Sequence, residues 1–307
     1  MKIALALAAL LAVLLLGAVW LVTQPFAGAG HHWQGTAADA KRLEDLVRAL
    51  VALGPREGAA GQAKVAVWLR TQLIALGHVP LVQYYARGRD DYRNLLVALG
   101  PQTPQRIVIS AHYDARGPYP GADDDASGVA ALLELARMLR GVPLPLHTEL
   151  AFYSNEESGM EGSEFHARGI PAGEVRAMIS LEMLGCFHEP QKFPLPMLQL
   201  VYPSYGDYIV VVGRFEDWPL VRSLKRALDG AGARVRSIDA PESTPGIGDS
   251  DHSSFWRAGA RAAMLTDTAW YRNPRYHTAA DTPDTLDYAQ MAKVVDGVAA
   301  WASQVPR

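Results

Sequence analysis

Cysteine occurs once in the 307 residues, at Cys186, so no intramolecular disulfide framework holds this chain together. That scarcity is compatible with either redox compartment and selects neither. An excess of one charge is also missing. The 29 Lys and Arg against 32 Asp and Glu leave a formal net charge of -3, which gives no basic footprint for nucleic acid, and no nucleic-acid partner is expected. There is no internal repeat and no low-complexity tract, which removes solenoids, propellers and long disordered tails. What remains is a globular composition, 49% apolar, and enough length for one large α/β domain or two small ones.

The last absence is local. No charged residue occurs from Ile3 to Val22, and twenty Ala- and Leu-rich residues are enough to cross a bilayer as a helix. A cleavable signal peptide has a shorter apolar core, roughly 7–15 residues. Residues 1–30 are therefore expected to be an uncleaved transmembrane signal anchor and the start of a linker. Ala27-Gly28-Ala29 offers a cleavage site for the alternative, a secreted or periplasmic protein. Lys2 is followed by no further Lys or Arg until Lys41, so the positive-inside rule leaves residues 31–307 outside the cytoplasm, membrane-anchored through the N-terminal helix.

Thr23 to Ala38, with three glycines, reads as linker. Leu43, Leu46, Val47, Leu50 and Val51 then mark one face of a helix, and Val65, Trp68, Leu69, Leu73 and Leu76 a second. Short apolar runs at 79–86, 94–99, 106–110, 148–154, 177–183, 208–213 and 260–268 read as strands. Helical patterns at about 126–140, at 219–232 and from Tyr288 to Trp301 alternate with them. Such alternation argues for a single three-layer αβα sandwich around a central mixed, mostly parallel β-sheet. Cys186 to Tyr208, with four prolines, reads as an irregular excursion.

Three of these strands end on potential ligands. The run RIVIS leads to His112-Tyr-Asp114, and because side chains alternate along a strand, His112 and Asp114 share a side if the extended conformation continues. A carboxylate beside an imidazole fixes its tautomer and frees the other nitrogen for a metal. Asp123-Asp124-Asp125 follow on a turn between Gly121 and Gly128. An isolated Asp triplet reads as a solvated turn capping a helix. Beside His112 and Asp114 a cation compensating these like charges is the simpler reading. TELAFYS ends on Asn155-Glu156-Glu157, and AMISLEM ends on Glu182 and Met183. Adjacent strand-end glutamates diverge, so one can bind a metal while the other acts as general base. Near the C-terminus, His277 precedes a capping-type run into the last helix.

Taken in order, HYD, PGADDDASGVAALLELAR, NEESG, SLEMLG, SDHSSFW and YHTAADTPDTLD resemble the co-catalytic di-zinc aminopeptidase family, relatives of bacterial leucine aminopeptidase and glutamate carboxypeptidase. The resemblance runs from about Leu43 to the C-terminus. It implies a zinc-peptidase type of αβα fold and a single catalytic domain. It also implies two Zn²⁺ per chain, held by His112, Asp124, Glu157, Glu182 and His277, with Asp124 bridging. Glu156 is then the general base, and Asp114 supports His112. Glu182 departs from the family's usual Asp, and its extra methylene changes its reach. Asp123 replaces a usual Asn and would add negative charge beside the metals. A cis peptide between Asp124 and Asp125 is implied as well.

Two Zn²⁺ against three carboxylates and two neutral imidazoles leave one net positive charge. The mixed His and carboxylate set suits zinc, although Mn²⁺ or Co²⁺ could enter it. The expected activity is that of a zinc-dependent exopeptidase, an aminopeptidase hydrolysing N-terminal residues of a peptide substrate. Asp251 and His252, before an apolar Phe-Trp pair, read as structural, and the loops 186–205 and 239–251 as shaping the side-chain pocket. Glutaminyl cyclase, with one zinc, is the competing enzyme on a similar scaffold. A catalytically dead ectodomain is the competing binding module, and a non-peptide amide or phosphoester is the competing substrate.

Overall fold

The computed structural model describes residues 2–25, 30 and 32–305; of residues 2–9 and 18 only the backbone is described. Ala27-Gly28-Ala29 and His31 lie outside the described residues. The β-branched and leucine-rich runs form one eight-stranded sheet, because apolar residues on both strand faces are satisfied only between two helical layers. Its strands are β1 (Leu81–Arg87), β2 (Asp90–Leu99), β3 (Arg106–His112), β4 (His147–Tyr153), β5 (Val175–Glu182), β6 (Ile209–Gly213), β7 (Val235–Asp239) and β8 (Ala262–Thr266). They lie in the order β1-β2-β4-β3-β5-β8-β6-β7. The centre β4-β3-β5-β8 is parallel, β1-β2, β2-β4 and β8-β6 pair antiparallel, and β6-β7 is parallel. The expected mixed, mostly parallel sandwich is the fold found.

The helices are α1 (Lys2–Thr23), α2 (Ala40–Val51), α3 (Gly58–Ala75), α4 (Gly128–Met138), α5 (Glu161–Gly169), α6 (Trp218–Gly230), α7 (His252–Arg257) and α8 (Tyr288–Ala302). Residues of α2, α3, α4, α6 and α8 share one core with Ile107, Ile109, Leu150 and Ile179. Phe255 and Trp256 of α7 and Ala167 of α5 belong to a second core with Val108, Tyr153, Met178 and Met264. The alternation of Ile107, Val108 and Ile109 between the two cores is the period-two pattern of a strand buried on both faces.

The structure differs from the expected elements at three places. VRSID is an edge strand, β7, and α5 and α7 are helices, none of which carries a periodic run long enough to announce itself. Residues 23–38 are tied to the domain where they are described: Gln24 is buried, and the amide of Ala38 donates to Asp296 (2.8 Å). Over the described side chains, no helix is long and apolar enough to cross a membrane.

Candidate metal centre

The four central strands run parallel and bring their carboxyl ends to one edge of the sheet, the usual position of a site in an open α/β fold. Strand β3 is buried after its first residue and ends on His112. Asp114, two residues on, lies with its Oδ1 3.3 Å from His112 Nδ1. Its two oxygens also accept the backbone amides of Glu156 (3.1 Å) and Glu157 (3.2 Å). One carboxylate thus fixes the histidine and the glutamate pair relative to each other.

Asp124 lies between the two histidines, its Oδ1 3.2 Å from His112 Nε2 and its Oδ2 2.9 Å from His277 Nε2. Glu182 Oε1 is 3.6 Å from His112 Nε2, while its Oε2 accepts Ser250 Oγ at 2.7 Å. Glu157 Oε2 lies 3.2 Å from His277 Nε2. Two groups of donors therefore share Asp124. The structure brings together all five residues expected as ligands, with Glu156 4.0 Å from His112 Nε2.

The donor atoms converge without satisfying one another. His112 Nε2, His277 Nε2 and Glu157 Oε1 are buried, and among the described residues none has a hydrogen-bond partner. That is the arrangement of ligands directed at a common cation, and imidazole with carboxylate suits zinc. The electrostatics agree. Burial pulls both imidazoles down, but the carboxylates around them outweigh it and hold His112 well above its ordinary value and His277 at about 9. Burial raises Asp124, yet its contacts with His112 and His277 prevail and hold it below the usual carboxylate range. Burial leads in raising Glu156 and Glu157. Protons on the imidazoles supply positive charge to the cluster, and a metal must displace them.

Asp123 and Asp125 flank Asp124 and serve other ends. Asp125 lies near enough to His112 and Glu182 to join a metal group. Its oxygens, however, accept the amides of His112 (3.2 Å), Gly128 (3.0 Å) and Met183 (3.2 Å), so it knots three segments together. Asp123 accepts Gly185 N (2.8 Å) and Asn273 Nδ2 (2.6 Å). Burial, with Asp267 next, raises it well above the carboxylate range. Its side chain is thus engaged by Gly185 and Asn273. The peptide between Asp124 and Asp125 is cis. Asn155, Met183 and His277 all have positive φ (57°, 54° and 56°), and each is a candidate ligand or adjoins a candidate ligand or the expected base. Non-glycine residues in that region gather at functional sites.

Arg56 and Asp281 were not anticipated as parts of the site. Arg56 is fully buried and donates to the carbonyls of Tyr113 (3.0 Å), Pro120 (2.7 Å) and Gly121 (2.7 Å), fastening both ends of the loop before Asp124. Asp281 accepts the amides of Asp123 (2.9 Å) and Asp124 (3.2 Å). Asp281 stood in a visible motif, but a lone arginine in GPREG carries no signal. Asp251 is fully buried and pushed up to about 7, chiefly by burial. His252 hydrogen-bonds Ile247 O (2.7 Å) and packs edge-on against Trp256, the structural role expected of it.

Beside the ligands opens a cavity of about 880 Å³, part of it open to solvent. Asp124, Glu156, Glu157 and Glu182 line one end, and Leu198, Tyr202, Val210, Val212, Ile247 and Met264 form much of an apolar wall. Both loops expected to shape a pocket contribute to it.

Residues 94–302 match the model of the family described as Peptidase family M28. The chain belongs to peptidase family M28. Its metal-ligand candidates and Glu156 all fall within the matched residues. Over 224 residues the M28 chain is 42% identical to the uncharacterized protein YfbL of Escherichia coli K12, which covers 67% of this chain and 69% of that one. It is 28% identical over 214 residues to leucine aminopeptidase 1 of Coccidioides posadasii, 64% of this chain but 52% of that enzyme, so it spans about half the length of that relative.

Among solved structures, the glutaminyl cyclase of Fimbriiglobus ruber superposes with a TM-score of 0.71 at 22% identity, covering 88% of this chain and 96% of that one. A zinc aminopeptidase from Bacillus subtilis gives 0.70 at 16%, covering 86% and 94%. At those identities the likeness is one of fold.

Proposed function

We propose that this M28 protein is a two-zinc aminopeptidase that releases bulky apolar residues from the N-termini of peptides. The observation that carries the reading is the convergence of His112, Asp124, Glu157, Glu182 and His277 beside an unligated Glu156 at the end of an apolar cavity. His112, Asp124 and Glu182 would hold one zinc and Asp124, Glu157 and His277 the other, supplying a polarised scissile carbonyl and a water of lowered pKa.

The chain's own residues do the rest. Glu156 accepts the proton of the attacking water and passes it to the leaving amine. Burial raises its proton affinity toward that of the group it must deprotonate. Asp114 holds the backbone of Glu156 and the ring of His112 in one frame, so base and ligand keep their separation through turnover. Tyr276 stacks on the His277 ring at 3.7 Å and keeps it from turning away. The substrate's free amine meets the acidic end of the cavity, and its first side chain enters the apolar part. The N-terminal run Ile3 to Val22 anchors the enzyme with its catalytic domain outside the cytoplasm.

Aminoacyl amides and short peptides with free or acetylated N-termini, together with an N-terminal glutaminyl peptide, test this reading. Release of leucine or phenylalanine from free-amine substrates alone, with close to two zinc equivalents per chain, is the expected result. Cyclisation of the glutaminyl peptide with one tightly bound zinc would instead support the cyclase reading that a fold shared with such enzymes keeps open. Cleavage of acetylated peptides would refute an aminopeptidase.

A further inference from the structure

The end of α1 and the wall of the catalytic cavity meet at one residue. The last carbonyls of a helix need donors from outside it, and here the domain provides them. Lys225 of α6 donates Nζ to Thr23 O (2.9 Å) and Gln24 O (2.7 Å), and Ser237 of β7 donates Oγ to Thr23 O (2.8 Å). One turn earlier, Arg222 lies over the Trp20 ring at 5.9 Å. The backbone of Ser237 in turn accepts the hydroxyl of Tyr202 at 2.6 Å. Tyr202 lies in the excursion that the sequence marked by its prolines.

That excursion has two apolar faces. Leu198 and Tyr202 are buried and, with Phe193 and Pro194, wall the catalytic cavity. Leu195, Met197 and Leu200, around the short turn Pro196–Leu200, face outward with 42%, 67% and 86% of their surface exposed. The inner face serves the cavity. The outer face has no folding role, and exposed apolar groups gathered in one segment mark a surface that something covers.

We propose that Leu195, Met197 and Leu200 rest in the lipid interface of the membrane that α1 enters, so that the catalytic cavity opens beside the bilayer and takes peptides adsorbed there. The proposal rests on the reading of residues 3–22 as an anchor. The occupant is identified by the clamp at Thr23 and Gln24, which fixes the edge of the domain at β7 next to the helix exit. Val201 and Tyr202 share the wall of a smaller cavity with Thr23 and Pro25, which brings the chain next to Leu200 beside that exit. Trp20, near the end of the helix, is of the residue type enriched at membrane interfaces. Strand β1 is seven strand spacings away at the opposite edge, roughly 33 Å at about 4.7–4.9 Å per spacing. Val79, just before β1 and 95% exposed, should never meet lipid.

The buried lone Cys186 makes the test practicable. The full-length chain carrying Leu14→Cys, Leu200→Cys or Val79→Cys is labelled with an environment-sensitive fluorophore, with the unsubstituted protein as labelling control, and reconstituted in phosphatidylcholine–phosphatidylglycerol vesicles. Nitroxides on the lipid acyl chains and aqueous iodide serve as quenchers, and retained peptidase activity reports that each variant is folded. Quenching of positions 14 and 200 by the lipid nitroxide, and of position 79 by iodide alone, is expected. If position 14 is quenched from the lipid but position 200 only by iodide, the docking proposal fails while the anchor stands. If position 14 itself is unreached from the lipid, the anchor reading fails and the proposal with it. Shielding of position 200 from both quenchers, relieved on dilution, would assign the face to a second copy of the chain and overturn the proposal.

Discussion

Arg56→Met is the most searching perturbation of the site, because it leaves every candidate ligand and the proposed general base in place. Methionine keeps much of the length of the side chain and removes all of its donors and its charge. Gly121 O keeps the amide of Ala126 (3.2 Å), whereas the carbonyls of Tyr113 and Pro120 lose the guanidinium. A buried acceptor left without a partner costs about 1–3 kcal/mol, which applies to the buried Tyr113 carbonyl, while the part-buried Pro120 carbonyl costs less because water can reach it. Burial lowers the pKa of Arg56, and the charges of Asp124, Asp114, Asp281 and Asp125 work against that. Without metal, only the protons held by His112 and His277 offset the charge of those acids, whereas bound Zn²⁺ would offset more of it. The loss should therefore be greater for the metal-free protein than for the zinc-loaded one. Urea unfolding with and without zinc, beside metal content and turnover, measures this. A variant with the wild-type midpoint in both states would refute the assignment of Arg56 as the fastening of the site.

Glu156→Gln should keep its metal content and lose about 10²–10⁴-fold in turnover, the usual worth of a general base, whereas Glu157→Gln should lose metal and regain part of its activity in excess zinc. Wild-type turnover in Glu156→Gln would overturn the mechanism. Asp114→Asn removes one of the two oxygens that hold the glutamate amides, and should cost 10–100-fold in metal affinity or activity, the usual worth of a group that orients ligands; unchanged zinc titration would show that the frame is not needed. His252 is fully buried, and burial holds it down to about 4, so it is neutral in the native protein, while the unfolded chain takes a proton near 6.5. Its contribution is complete above about pH 6.5 and is lost as pH falls toward 4, by up to about 1.4 kcal/mol per pH unit. In His252→Gln that part of the slope should vanish, the ligand protonations being common to both proteins; equal slopes would show that His252 titrates normally.

The sheet was legible in local apolar patterns, and the candidate ligands in a series of motifs whose order resembles one family. The short run Ile107, Val108 and Ile109 reads as a strand buried on both faces, and such a strand delivers His112 to a sheet edge. The acids stand at strand ends, where consecutive side chains diverge, so Glu156 and Glu157 could be given different tasks before their positions were known. Strand β7 and helices α5 and α7 escaped because they are short, and their stability comes from neighbours remote in sequence. Three matters needed the tertiary structure for the same reason. Arg56 reaches across 57 residues to Tyr113, Asp281 across 158 to Asp123, and Lys225 across 202 to Thr23. None of these has a period or a spacing that a chain read locally can reveal. Whether Asp123 adds charge to the metals or turns away to Gly185 and Asn273 was likewise open in the sequence, since three consecutive aspartates are alike until the backbone aims each one differently.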